Sequence, residues 1–343
     1  MACLFGLARA KLLPMSGDDG LRTRLGVGDV KPQAVPELVG KLVLDRYKVL
    51  GVLGKGTMGA VFRGTDEKLA RTVAIKVLHA HLVDDPTMLA RFQREARVAA
   101  RLQHPNLISV LDVGETPDGL HVMILELALG PTLADLIGKQ PQPTARILHL
   151  ARQLLAGLEH AHDAGLIHRD LKPANVLVET SSSGEEIARI VDFGIAVLRD
   201  PDDSIAGGKL TSTGQVLGTP LYMAPEQAKG DPIDHRIDLY ALGVIIYEML
   251  SGKWPFVGSA IEIALASISQ DPPTIAQRAP GVDADPLLER FARRLMARKL
   301  DERLATAHEA LELLDLIAGD PRQAGLSLGI MDVQRALEII ALP

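Results

Sequence analysis

Between Tyr47 and Leu78 the chain is written in short β-branched runs, VLGVLG, AVFRG and TVAIKVL, broken by turn clusters such as Gly64-Thr65-Asp66, whereas beyond Gly130 it turns to helical periods. Strands first and helices later point to an α+β fold in which a small β-rich lobe precedes a larger helical one. Length agrees, because 343 residues exceed the size at which one hydrophobic core keeps growing. Asp85-Pro86 pairs an N-cap with a proline at the first helical position and should open a helix through about Leu102, after which Leu107–Leu127 returns to strand texture. Later helices are expected over Thr144–Asp163, Asp234–Leu250 and Thr306–Ala318, closed by Gly165, Gly252 and Gly319. Thr306 with Glu309 has the capping-box pattern, Asp285-Pro286 starts another helix, and Ser181-Ser182-Ser183-Gly184 is a hairpin tip.

Outside that frame, residues 1–44 mix Gly, Pro and charge and are expected to be a disordered leader. In the tail, 319–343, Ile330, Val333, Leu337 and Ile340 are spaced for one face of a short helix. Lys plus Arg total 37 against 43 for Asp plus Glu, a net charge of −6, which argues against nucleic acid or an anionic membrane as a partner. A single cysteine, Cys3, allows no intrachain disulfide and fits a reducing compartment, the cytoplasm. The best candidate for a membrane span, Ala241–Leu250, contains Glu248 and falls well short of the ~20 apolar residues a helix needs to cross a bilayer.

Residues 53–62, LGKGTMGAVF, carry Gly54, Gly56 and Gly59 as G-x-G-x-x-G, a backbone that can approach phosphates because no Cβ intervenes. With glycine at 31 of 343 positions such a triplet arises by chance about 0.25 times, so its context decides its meaning. Here the third glycine leads into Ala60-Val61-Phe62 and another strand, whereas a dinucleotide-binding motif opens a helix, which argues for a β-hairpin lid and against an oxidoreductase. Seventeen residues after Gly59 comes Lys76, in an apolar strand where it is either a solvent-facing residue or a phosphate ligand. Nineteen residues further, Glu95 lies on a helical stretch and is placed to pair with it.

The strongest signal is His168-Arg169-Asp170-Leu171-Lys172-Pro173-Ala174-Asn175, followed by Asp192-Phe193-Gly194 and then Ala224-Pro225-Glu226. With these residues in this order the chain resembles the protein kinase family, from Tyr47 to about Ala318. Lys172 and Thr219 resemble the serine/threonine pattern, and Met58 and Gln227 the bacterial eukaryotic-like branch.

The resemblance implies a bilobal kinase domain over 45–318, with an N-lobe of about 45–127 and a C-lobe of about 131–318. Asp170 would be the catalytic carboxylate, Lys172 would neutralise the transferring phosphoryl group, and Lys76 with Glu95 would orient the nucleotide phosphates. Asn175 and Asp192 would hold Mg²⁺ or Mn²⁺ through hard oxygens. ATP would lie under Leu53, Gly54, Lys55, Gly56, Thr57, Met58 and Gly59. Its adenine would sit between Leu53, Val61, Ala74 and Leu177, against the backbone of Glu126–Ala128, with Leu125 as gatekeeper. Protein serine or threonine hydroxyls would be the acceptors. They include Thr211 and Thr213 of the chain's own activation loop, whose phosphate Arg169 would hold, and a transient homodimer would serve phosphorylation in trans.

Two rivals come from other classes. A pseudokinase scaffold requires loss of a catalytic residue, and Lys76, Glu95, Asp170, Asn175 and Asp192 are all present. A small-molecule phosphotransferase of related fold lacks the Gly-Thr-x-x-Tyr-Met-Ala-Pro-Glu segment that occupies 218–226. His160, His162 and His168 cluster in sequence without the cysteines or close carboxylates that would complete a metal site. By the same resemblance, Asp238 would anchor the catalytic loop from a helix start, and Arg303 would pair with Glu226.

Overall fold

The structure, a computed structural model, describes residues 37–56, 59–78, 94–192 and 220–330. Its first part is a six-stranded antiparallel sheet of β1 (Leu42–Val43), β2 (Tyr47–Gly56), β3 (Gly59–Asp66), β4 (Arg71–Leu78), β5 (Val110–Glu115) and β6 (His121–Glu126), in spatial order β1-β2-β3-β4-β6-β5. Alternation along each strand decides which face is apolar. Phe62 stands opposite Ile75 and Ile75 opposite Ile124, so three fully buried side chains form a ladder across β3, β4 and β6. Tyr47 closes this small core and donates its hydroxyl to Asp112 at 2.9 Å. Lys76, the residue after Ile75, leaves from the opposite face and is 7% exposed, so it is not a solvent-facing member of the strand. The helix expected from Asp85 begins outside the described residues, and its described part is helical over 94–99.

The second part contains α1 (Leu133–Ile137), α2 (Thr144–Asp163), the hairpin β7 (Val176–Thr180) and β8 (Glu186–Ile190), α3 (Pro225–Lys229), α4 (Arg236–Ser251), α5 (Ala260–Ser269), α6 (Ile275–Arg278), α7 (Pro286–Leu295), α8 (Ala307–Gly319) and α9 (Pro321–Ser327). Every residue of α4 from Ile237 to Ser251 is buried. A helix with no polar face must be wrapped on all sides, and α2 and α7 pack against it. The apolar run Ala241–Leu250 is therefore the centre of a core, and among the described residues no helix is long and apolar enough to cross a membrane.

Helix ends follow their capping chemistry, with small departures. Asp285 accepts the amides of Leu287 and Leu288 at 2.9 and 3.1 Å ahead of Pro286, as the sequence predicts. α4 starts at Arg236 rather than Asp234, because the Asp234 carboxylate accepts the Arg236 amide at 2.9 Å and stays outside the helix. At α8, Thr306 caps the Glu309 amide at 3.1 Å, but the Glu309 carboxylate reaches back to Ala305 at 2.7 Å, so the box closes one residue further out than expected. Gly319 is the last residue of that helix, and Asp320 then caps α9, whose Ala324 joins the core together with Leu328. The Ser181–Gly184 stretch is the turn of the β7–β8 hairpin. The leader through residue 36 and the tail from 331, with Val333, Leu337 and Ile340, lie outside the described residues.

One ion pair ties the middle of the helical lobe to its end. Arg303 Nη1 and Nη2 donate to Glu226 Oε1 and Oε2 at 2.6 and 3.1 Å, and both residues are buried. The same guanidinium satisfies the carbonyls of Ala297 and Arg236 at 3.0 and 3.1 Å. Removing one partner strands a buried charge, so Arg303→Met should cost about 3–5 kcal/mol in urea denaturation. The double change Glu226→Leu/Arg303→Met should cost less than Arg303→Met alone. A double variant as unstable as that single one would show that the backbone carbonyls, not the carboxylate, need Arg303.

Candidate active site

The loop from His168 to Asn175 joins α2 to β7 and is fixed from below by α4. Asp238, in the first turn of α4 and 1% exposed, accepts the backbone amide of His168 through Oδ2 at 2.8 Å and that of Arg169 through Oδ1 at 2.9 Å. His162, near the end of α2, adds a contact from Nε2 to Asp238 Oδ2 at 2.9 Å. Burial alone would raise the Asp238 carboxyl, but the hydrogen bond and charge of His162, with His168 behind them, hold it below the ordinary carboxylate value. Arg169 adopts φ +66°, a left-handed conformation that costs a non-glycine residue free energy, and the grip of Asp238 on its amide offsets that cost. Gln227 holds the same residue from α3, donating to the Arg169 carbonyl at 3.2 Å.

On this support stands a compact polar group. Asp170 Oδ2 receives Lys172 Nζ at 2.8 Å and Asn175 Nδ2 at 3.3 Å, while its side chain remains 43% exposed. Asn175 Nδ2 also donates to the Asp170 carbonyl at 2.8 Å, which orients the amide and leaves its Oδ1 as an acceptor. Val191 links this loop to the end of β8: its amide donates to Asn175 O at 2.9 Å and its carbonyl accepts from His168 Nε2 at 2.9 Å. Asp192 follows at φ +60°, with Oδ1 2.9 Å from Lys76 Nζ. Desolvation would raise its carboxyl, but Lys76, His168 and Lys172 together hold it below the ordinary value, so it stays ionised at neutral pH. The structure thus brings Asp170, Lys172, Asn175, Asp192 and Lys76 together from two lobes.

The expected pairing of Lys76 with Glu95 is not present. Glu95 Oε1 lies 3.3 Å from Arg169 Nη1, and Lys76 is held by Asp192 instead. Both Glu95 and Arg169 are largely buried, so each requires an opposite charge nearby, and the guanidinium supplies one. Spacing in the sequence placed Glu95 on a helix, but the position of that helix against the helical lobe is a tertiary property.

The glycine-rich segment forms the β2–β3 hairpin, with Gly56 opposite Gly59. Gly59 has φ +152°, and a Cβ there would lie 1.9 Å from the Val77 carbonyl, so this glycine lets the hairpin close on β4. A Cβ at Gly54 would meet nothing within 4 Å, so packing does not explain the glycine there. Lys55 is described in its backbone alone, and Thr57 and Met58 lie outside the described residues. Ala74 stands opposite Leu125, Val61 opposite Lys76, and Leu177 opposite Arg189, while Leu53 is exposed. Phe193, Gly194, Thr211, Thr213 and Thr219 also lie outside the described residues.

The described part of the 218–226 segment rests on a partly buried network. Tyr222 donates its hydroxyl to Glu248 Oε2 at 2.6 Å and accepts the Trp254 indole N–H at 3.1 Å. Burial pushes the Glu248 carboxyl up, against the hydrogen bonds from Tyr222 and Trp254. Sequence reasoning missed this network and the parts played by His162 and Gln227. The signal for His162 was its place six residues before His168, and Gln227 and Glu248 carried none.

The protein kinase domain profile matches residues 47–314. The chain is 41% identical over 273 residues to serine/threonine-protein kinase pkn3 of Myxococcus xanthus, covering 79% of this chain and 50% of that protein. It is 38% identical over 286 residues to PknB of Mycobacterium tuberculosis, covering 82% and 44%. The PknI kinase domain crystal structure from M. tuberculosis superposes with a TM-score of 0.63 at 27% identity, covering 82% of this chain and 99% of that one. The chain therefore spans about half the length of these curated relatives.

Asp238→Asn should destabilise the protein by about 3 kcal/mol at neutral pH, because an amide can accept only one of the two loop N–H groups through its single oxygen. Since the folded carboxyl is held low, its stabilisation is present above about pH 4 and is lost as pH falls through the folded value. Denaturation midpoints of parent and variant should converge on acidification. Parallel curves down to the lowest accessible pH would contradict the assignment.

Proposed function

Because this chain belongs to the protein kinase family, we propose that it transfers the γ-phosphate of ATP to serine or threonine hydroxyls of protein substrates, with residues 45–318 as the kinase domain. The observation that carries the reading is the convergence of Asp170, Lys172 and Asn175 with the Lys76–Asp192 pair in one partly open site. Phosphoryl transfer asks for charge placement more than covalent chemistry, and these residue types supply it.

Asp170 accepts a hydrogen bond from the acceptor hydroxyl and orients its oxygen in line with the γ-phosphorus. As the new O–P bond forms, the bond to the β–γ bridging oxygen breaks, ADP leaves, and the hydroxyl proton passes to Asp170. Lys172 offsets charge on the transferring group, and Lys76 reaches the remaining phosphates. Asn175 and Asp192 fit a divalent cation: one ionised carboxylate and one amide oxygen are hard ligands, too few for a closed site and sufficient beside phosphate oxygens. Held by these two side chains, Mg²⁺ or Mn²⁺ would supply neutralisation of phosphate charge. The intact set Lys76, Asp170, Asn175 and Asp192 supports an active enzyme over a scaffold. The Tyr222-Met223-Ala224-Pro225-Glu226 segment supports a protein acceptor over a small molecule. Thr211 and Thr213 are the proposed sites of self-phosphorylation, which in trans requires transient pairing of two copies.

Asp170→Asn should lower kcat by roughly 10²–10⁴, about 3–5 kcal/mol of transition-state stabilisation, while ATP affinity survives. Asp192→Asn should instead lose metal-dependent nucleotide binding. Phosphate transfer to a generic protein substrate, isothermal titration with ATP and phosphoamino-acid analysis separate these effects. Phosphotyrosine as the main product, or full activity in Asp170→Asn, would overturn the reading.

A further inference from the structure

The segment joining the two lobes is enclosed by a set of charges that phosphoryl transfer does not use. In β7, Val176 and Val178 are buried while Leu177 and Glu179 share the other face, so the residue read as the adenine floor and Glu179 lie one pleat apart. Arg189 stands opposite Leu177 in β8. Its Nη1 lies 2.9 Å from Glu126 Oε1 and its Nε 2.6 Å from Glu179 Oε2. The other Glu179 oxygen, Oε1, accepts the backbone amide of Leu129 at 2.8 Å. Glu126 ends β6 in the sheet lobe, Glu179 and Arg189 belong to the helical lobe, and Leu129 lies between them.

Both ends of the connecting segment are fixed by backbone. The Glu126 amide donates to Ser109 O at 2.9 Å, and Val178 N–H donates to Pro131 O at 3.0 Å. At Gly130 a Cβ would lie 2.3 Å from the Val178 carbonyl, so the segment descends onto β7 at a distance only glycine permits. Between these anchors no backbone hydrogen bond holds the Ala128 N–H among the described residues. Its orientation is set by its neighbours, and the next amide, that of Leu129, is the one Glu179 grips.

We propose that Arg189 is a positioning residue for the nucleotide, bridging Glu126 and Glu179 so that the 127–130 backbone presents the Ala128 amide to the adenine edge before ATP arrives. The inference rests on the kinase reading above. Both contacts are ion pairs, and Nε lies outside hydrogen-bond geometry, so charge holds the bridge; a guanidinium spreads its charge across two carboxylates where an ammonium group is a single point. Because the adenine is remote from the reacting phosphorus, a better-held hinge binds ground and transition states alike, and its loss falls on KM rather than kcat.

The test uses the full chain with Arg189→Gln, Arg189→Lys, Glu179→Ala and the Arg189→Gln/Glu179→Ala double variant. KM for ATP and kcat are measured with a generic protein substrate, ATP affinity by titration in the Asp170→Asn background, and hydrogen exchange at the Leu129 amide by mass spectrometry. Arg189→Gln and Glu179→Ala should each raise KM and Kd for ATP roughly 5–30-fold and speed exchange at Leu129, with kcat changing less than about twofold. Arg189→Lys should fall between, and the double variant should be no worse than the more affected single, as expected of residues acting as one unit. Unchanged KM and Kd, even with faster exchange or a lower melting temperature, would overturn the proposal by reducing the bridge to a structural tie. A fall in kcat at constant KM would overturn it as well, by moving the effect to lobe closure. A parent chain that binds no ATP would overturn the kinase reading, and this inference with it.

Discussion

The site depends on one buried carboxylate. Asp238 sits inside the apolar helix α4 and takes the amides of His168 and Arg169 together with the His162 ring. An ionised group so deep in a core is tolerated only when its lone pairs are filled, and here the fillers are the backbone of the loop that carries Asp170. Cohesion of the helical lobe and geometry of the loop are consequently one requirement. The left-handed backbone at Arg169 is sustainable because the buried carboxylate beneath it accepts its amide.

Above that anchor, four charged groups share two contacts. Lys76 lies against Asp192 and Arg169 against Glu95, so each lobe contributes one member to each pair. Such an arrangement is sensitive to how the lobes and the helix 94–99 are placed, since moving one charge leaves another buried without its counterpart. Side-chain identity fixes which charges must be neutralised. Tertiary placement decides the partners.

Much of this was legible in the order of residues. Local chemistry marked the ends of α2 and α7 through Gly165 and Asp285-Pro286, and the strand after Gly59 identified the glycine-rich segment as a hairpin. Asp238 and the Glu226–Arg303 pair were legible through family resemblance, not local pattern. The Glu95 partner was misjudged because spacing on a helix says nothing of where the helix docks. The capping box at Thr306 slipped by one residue because Glu309 found the Ala305 amide better placed. The Arg189 bridge left no trace in sequence: Glu126, Glu179 and Arg189 are ordinary charged residues until sheet register and the Gly130 descent bring them together.

Trp254 has a use that its part in the Tyr222–Glu248 network does not suggest. It is the only tryptophan in the chain, and its indole N–H donates to the hydroxyl of Tyr222. Ultraviolet excitation at the red edge therefore yields emission from one ring, which packs against Tyr222 in the described part of the 218–226 segment, residues 220–226. The protein carries its own spectroscopic probe at that position, and engagement of the segment by another polypeptide can be followed in unlabelled material as a change in tryptophan intensity or wavelength.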